Sequence, residues 1–162
     1  MKHPPEFLAK LGNVVVAWSL FEHNLGMIVI IMISPDIFTG QSVIKELRFR
    51  SLADAALNVY RAHIGEDDDF LILREIINRA EKLEPERNLL VHATFGAEEK
   101  GKNRVSVWKV SAKRKGIKRI AKFIEYKEID QLGSDIHKLS DDLMELFQRL
   151  IASGKTKYIK MG

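Results

Sequence analysis

The chain has 162 residues, of which 46% are hydrophobic and 30% charged, and its formal net charge is +4. A chain of this length and composition is typical of one soluble globular domain with a sizeable core. The sequence contains no cysteine, which excludes disulfide bonds, thiolate metal sites and a cysteine nucleophile.

The first fifth of the chain predicts one long helix. Apolar residues recur at steps of four and three, a pattern typical of a helical seam: Phe7, Leu11, Val14, Trp18, Phe21, Leu25, Ile28 and Met32. Polar residues such as Asn13, Glu22 and Asn24 interrupt it, whereas a membrane span needs about 20 apolar residues. We therefore expect a buried helix without membrane contact. The start of the chain lacks the pattern of a signal peptide, so a cytoplasmic location is expected.

Two further helices are predicted before residue 92. A turn at residues 34–36 should end the first helix, and a second helix should run from about 41 to 64, where Gly65 would stop it. The acidic run 66–69 should open a third helix, because negative charge is stabilised at a helix N-terminus. Pro85 is expected to kink or restart that helix.

The pattern changes after residue 92. β-branched and aromatic residues predict a β-hairpin within about 100–126, with its turn at 113–116. Apolar steps of three and four then predict a last helix over about 129–150, followed by a loose basic tail at 155–162. The expected fold is mainly α: one domain over 1–162, a four-helix up-and-down bundle with a basic β-hairpin inserted between the third and fourth helices.

The hairpin region is strongly basic. Residues 100–122 contain ten basic residues and no acid, which leaves the rest of the chain net acidic. Such a cluster favours a polyanion, and we expect nucleic-acid contacts from six side chains: Lys109, Lys113, Arg114, Lys115, Lys118 and Arg119. The alternative interpretation is a solvated hairpin whose lysines protect an edge strand from aggregation.

A short motif near the end of the third helix is the candidate catalytic site. Residues 87–92 read Arg-Asn-Leu-Leu-Val-His. The guanidinium of Arg87 could hold a phosphate, and the imidazole of His92 could move a proton near neutral pH. Asn88 lies four residues before His92 and so shares its helix face. Alternatively, both cations merely stabilise the C-terminal end of a helix.

Glu22 admits two interpretations. It could orient Arg87 or His92 through a charged hydrogen bond, or it could lie at the edge of the helical seam and pair with a surface lysine. Neither a metal nor a cofactor is expected, because the five histidines form no close ligand pair and no nucleotide-binding motif fits its surroundings.

The helical frame, the Arg-polar-x-x-x-His string and Phe21-Glu22 on the first helix together resemble the HEPN (higher eukaryote and prokaryote nucleotide-binding) superfamily. The resemblance implies a homodimer in which two motifs face each other across a cleft. It implies a metal-independent ribonuclease of a toxin–antitoxin or phage-defence system, with an antitoxin or regulatory protein as a partner. His92 would transfer the proton, Arg87 would bind the scissile phosphate, Asn88 would support them, and the RNA 2′-hydroxyl would attack its own phosphorus.

One residue departs from that family pattern. Many toxins of the superfamily carry a tyrosine two residues after the histidine, where the antitoxin modifies it, and here Thr94 stands at that position. The alternative function is a non-catalytic interaction module that binds nucleic acid or an acidic protein partner.

Overall fold

The computed structural model describes residues 3–33, 36–98, 101–113 and 116–156, with the side chains of 111–113, 116 and 118 left out. Within these residues the protein is mainly helical, with five helices and one three-stranded sheet. The helices are α1 (Pro5–Ile33), α2 (Ile37–Ile44), α3 (Phe49–His63), α4 (Asp68–His92) and α5 (Tyr126–Ala152). The strands are β1 (Thr94–Glu98), β2 (Arg104–Lys113) and β3 (Gly116–Glu125).

Helix α1 confirms the predicted first helix. The apolar residues that recur along it at steps of four and three, from Phe7 to Met32, are buried apart from the half-buried Leu11. The helix is long and apolar enough to span a membrane by length and composition, and 61% of its most apolar stretch is buried in the protein. Residues 34 and 35 of the predicted turn lie outside the described part of the chain, and Asp36 is the N-cap of α2.

The predicted second helix is wrong in its extent, because two helices occupy this region. The Asp36 carboxylate accepts hydrogen bonds from the backbone N–H groups of Phe38 and Thr39, so α2 begins before residue 41. Helix α2 ends at Ile44, and Arg48 adopts an extended conformation before α3. Glycines allow α2 to approach α1 closely. A Cβ atom on Gly40 would lie 2.7 Å from Cγ2 of Ile30.

The end of α3 and the start of α4 follow the predicted signals. Gly65 adopts a φ of +103°, and its N–H donates to the carbonyl of Arg61. The carboxylate of Asp67 accepts a hydrogen bond from the Phe70 N–H, which caps the first turn of α4. Helix α4 continues through Pro85 to His92, so the helix does not restart at the proline.

The sheet contains the predicted hairpin and one strand more. Strands β2 and β3 pair in antiparallel register from Arg104↔Glu125 to Lys113↔Gly116, and the predicted turn residues 114 and 115 lie outside the described chain. Strand β1 pairs with the other side of β2, beginning at Thr94↔Trp108. The sheet order is therefore β1-β2-β3.

Helix α5 confirms the predicted last helix, with Gly154 at a φ of +66° just beyond it. Lys155, expected in the loose tail, is held in place. Its ammonium group lies 2.7 Å from Asp67 and 2.6 Å from the buried Asp69. The rest of the predicted tail, 157–162, lies outside the described residues.

The chain divides into two compact units, each built from two segments. The first comprises Met1–Trp18 and Glu81–Ile136, and therefore contains the sheet, the end of α4 and the start of α5. The second comprises Ser19–Ala80 and His137–Gly162, and contains α2 and α3.

Candidate active site

The candidate motif occupies the last turns of α4, within the first unit. Leu89 and Leu90 are buried, Arg87 and Asn88 are half-buried, and His92 is exposed as the last residue of the helix. The apolar pair therefore fixes the segment in the core. The polar side chains of the motif remain at or near the surface.

The side chain of Arg87 is fixed by two contacts. Its guanidinium carbon lies 5.3 Å from the centroid of a Trp18 ring, a cation–π distance, and its Nη1 donates a hydrogen bond of 2.9 Å to Oδ1 of Asn88. The Arg87 Nε is buried and has no hydrogen-bond partner among the described residues. Arg87 thus presents a planar cation in one orientation.

Asn88 connects the arginine to a carboxylate. Its Nδ2 donates a 3.3 Å hydrogen bond to Oε1 of Glu84, one helical turn earlier. The amide of Asn88 is therefore oriented from both sides, with the oxygen toward Arg87 and the nitrogen toward Glu84. Asn88 thus holds the Arg87 side chain through one of these hydrogen bonds, and its role in catalysis stays a prediction.

Trp18 and Glu84 are members of this site that the sequence did not indicate. Trp18 is 1% exposed, as expected of a core residue, but its ring also faces the Arg87 guanidinium. Glu84 is one of many acids in the sequence, and only its spacing of four residues before Asn88 could have singled it out.

His92 and Arg87 make no described contact with each other. The exposed imidazole lies at the C-terminal end of α4, where positive charge is favoured whether or not the residue does chemistry. The joint action of the two residues on one phosphate stays a prediction.

Glu22 belongs to the second unit. It is half-buried and lines a groove with residues of α1, α2 and α3, among them His23, Phe38 and Leu52. Its predicted hydrogen bond to Arg87 or His92 stays a prediction.

The predicted nucleic-acid contacts fall on two faces of the sheet. Alternation along the strands places Lys109 on the face that carries the buried Val105 and Val107, and Arg119 on the opposite face. Lys109 is half-buried, and its Nζ donates a 2.9 Å hydrogen bond to the backbone carbonyl of Asn88. The side chains of the other four predicted contacts lie outside the described part of the chain: Lys113, Arg114, Lys115 and Lys118.

No group of three or more histidine, aspartate or glutamate side chains is arranged to hold a metal ion within the described ranges. Comparisons with protein-family models, with curated proteins and with solved structures found no match for this chain.

Proposed function

We propose that the protein is a metal-independent endoribonuclease of the HEPN type, acting as a cytoplasmic homodimer in a defence or toxin–antitoxin system. The observation that carries the proposal is the fixed orientation of Arg87 between Trp18 and Asn88, with an exposed histidine at the end of the same helix. A rigid guanidinium and an accessible imidazole are the groups that phosphodiester cleavage needs when no metal takes part.

In the proposed reaction, His92 accepts the proton of an RNA 2′-hydroxyl. The 2′-oxygen then forms a bond to the adjacent phosphorus, and the bond from that phosphorus to the 5′-oxygen breaks. The departing 5′-oxygen takes a proton from the partner subunit's His92, and the products are a 2′,3′-cyclic phosphate and a free 5′-hydroxyl. Arg87 stabilises the negative charge that develops on the phosphate oxygens.

The location of the sheet supports RNA as the substrate. Lys109 joins β2 directly to the carbonyl of Asn88, so the basic hairpin is anchored at the motif itself. RNA that contacts the face of the hairpin carrying Lys109 would therefore lie close to the end of α4.

The test is incubation of the purified protein with mixed RNAs in EDTA, followed by analysis of the fragment ends. Wild-type protein should leave 2′,3′-cyclic phosphates, and His92→Ala should lose at least about a hundredfold in rate, since positioned proton transfer contributes about 10²–10⁴-fold. His63→Ala is the matched control, because His63 is also exposed and also ends a helix, α3. Cleavage that survives His92→Ala would refute the assignment.

One observation favours the second candidate, a non-catalytic interaction module. Arg87 already has internal partners in Trp18 and Asn88, as a purely structural arginine would. RNA that both wild-type protein and His92→Ala bind with equal affinity and leave intact would support the module.

A further inference from the structure

One face of the sheet carries large apolar side chains in contact with solvent. We call it the outer face. Register pairs place Ser106↔Phe123, Trp108↔Ala121 and Val110↔Arg119 on it, together with Ile117, and Arg104↔Glu125 lies at one end. Trp108 is 46% exposed, Phe123 50%, Val110 68% and Ile117 67%. Aromatic residues are usually buried, so two half-exposed aromatic rings on one sheet face point to a ligand.

Small neighbours on both adjacent strands support the Trp108 ring. On β1, a Cβ atom added to Gly96 would lie 2.7 Å from Cζ3 of Trp108, so the indole lies directly over the glycine. On β3, the residue opposite Trp108 is Ala121. The six-membered ring of the indole therefore lies against the sheet, and the residues directly opposite Trp108 are small, Thr94 on β1 and Ala121 on β3.

The Phe123 ring makes a cation–π contact. The guanidinium carbon of Arg104 lies 4.6 Å from the centroid of the Phe123 ring. Phe123 is also the diagonal neighbour of Trp108 across β2 and β3, and diagonal neighbours in an antiparallel pair are about 7–8 Å apart. Two successive unstacked bases of an extended strand can span such a separation.

The charge on this face favours an anionic ligand. Arg119 is exposed opposite Val110, and residues 100–122 contain no acid at all. Glu125 lies at the end of the face and is paired with Lys127 at 2.8 Å. Exposed aromatic rings beside arginines form the combination that binds the bases and backbone of single-stranded nucleic acid.

We infer that the outer face binds single-stranded nucleic acid by stacking one base on Trp108 and the next on Phe123, with Arg119 beside the sugar-phosphate backbone. That the natural ligand is RNA rests on the proposed function. The stacking site itself does not depend on the proposed function, because it lies on the face of the sheet opposite to the one that carries Lys109.

The test is titration of the full-length protein with a fluorescently labelled oligothymidylate at low salt. Oligothymidylate lacks the 2′-hydroxyl and so cannot be cleaved by the proposed reaction. Binding is followed by anisotropy of the label and by quenching of tryptophan emission. The two tryptophans differ in access, because Trp18 is 1% exposed and Trp108 is 46% exposed, so quenching reports on Trp108.

The variants separate stacking from other kinds of contact. Trp108→Ala should weaken binding about tenfold, and Phe123→Ala by a similar factor, as for the loss of one stacked base. Trp108→Phe should keep affinity within about threefold because a ring remains, while the quenching disappears. Arg119→Gln should lower the slope of log affinity against log salt by about one.

Val110→Thr is the matched control. It changes a 68% exposed aliphatic side chain of the same face to a polar one of nearly equal size, which should hardly affect base stacking. Three results would overturn the inference: no oligothymidylate binding by wild-type protein, Val110→Thr weakening binding as much as Trp108→Ala, or equally tight binding of duplex DNA, whose bases are already stacked. Failure of RNA cleavage would leave all of these measurements unchanged.

Discussion

The ammonium group of Lys109 donates a hydrogen bond to the backbone carbonyl of Asn88, with 2.9 Å between nitrogen and oxygen. The contact joins β2 to α4 at the second residue of the candidate motif. A cation near the C-terminal end of a helix is favoured by the helix dipole, so this lysine stabilises both the helix end and the position of the sheet.

Lys109→Met should therefore lower the free energy of unfolding. The variant keeps most of the apolar stem but removes the charged donor, and a hydrogen bond of this kind contributes about 1–2 kcal/mol. Urea denaturation monitored by circular dichroism measures the change. Lys122→Met is the control, since Lys122 lies on the same face of the sheet but is exposed, and its effect should stay within about 0.5 kcal/mol. Equal effects of the two substitutions would contradict a specific role for Lys109.

The stacking of Arg87 on Trp18 should appear as coupling between the two residues. In a double-mutant cycle of Arg87→Met and Trp18→Leu, each of which removes the contact, the unfolding free energies should deviate from additivity by about 0.5–1 kcal/mol, the range for a cation–π contact. Strict additivity would show that the guanidinium gains nothing from the indole.

Arg87→Lys should separate charge from geometry. The lysine keeps the positive charge but loses the planar fork that contacts Asn88, so the proposed RNA cleavage should fall at least about tenfold while the fold is retained. Initial rates of cleavage in EDTA, with circular dichroism as the folding check, measure this. Full activity in Arg87→Lys would mean that a positive charge alone suffices.

Gly96→Ala should destabilise the protein, because the new methyl group would meet the Trp108 ring and the hydroxyl of Ser106. Overpacking of this kind typically costs about 1–3 kcal/mol, and displacement of the indole should also shift tryptophan emission. In the Trp108→Ala background the same substitution should cost much less. An equal cost in both backgrounds would show that the Ser106 hydroxyl or the backbone, not the indole, requires glycine.

Stability should fall in acid because of Asp67. Burial disfavours its ionised form, but hydrogen bonds from Lys155, the Phe70 N–H and the Tyr60 hydroxyl together lower the pKa of the Asp67 carboxyl below its ordinary value of 3.8. The folded state then binds the proton less readily than the unfolded state. The stabilisation is present above about pH 4 and is lost as the pH falls through the lowered pKa.

The measurement is the free energy of unfolding in urea between about pH 5 and 2.5. Asp67→Asn should flatten the acid-side decline, whereas Asp54→Asn should not, since Asp54 is an exposed residue of α3. If the free energy of unfolding of Asp67→Asn declined as steeply with falling pH as that of the wild type, a group other than Asp67 would be responsible for the acid sensitivity.

The sequence alone determined the long helices and the hairpin. Apolar residues from Phe7 to Met32 recur at helical spacing, and the β-branched and aromatic residues of β2 and β3 are an equally local signal. Gly65 and the acidic run after it fixed the boundary between α3 and α4, because capping and turn chemistry act within a few residues.

Only the tertiary structure decided the features that depend on contacts between distant segments. Helix α2 lies close to α1 where Gly40 meets Ile30, and strand β1 exists because β2 supplies its hydrogen-bond partners. The same holds for the site: Trp18 and Lys109 lie far from residues 87–92 in sequence and meet them in space. Periodicity records which side of a segment is buried, but it does not record which segment covers it.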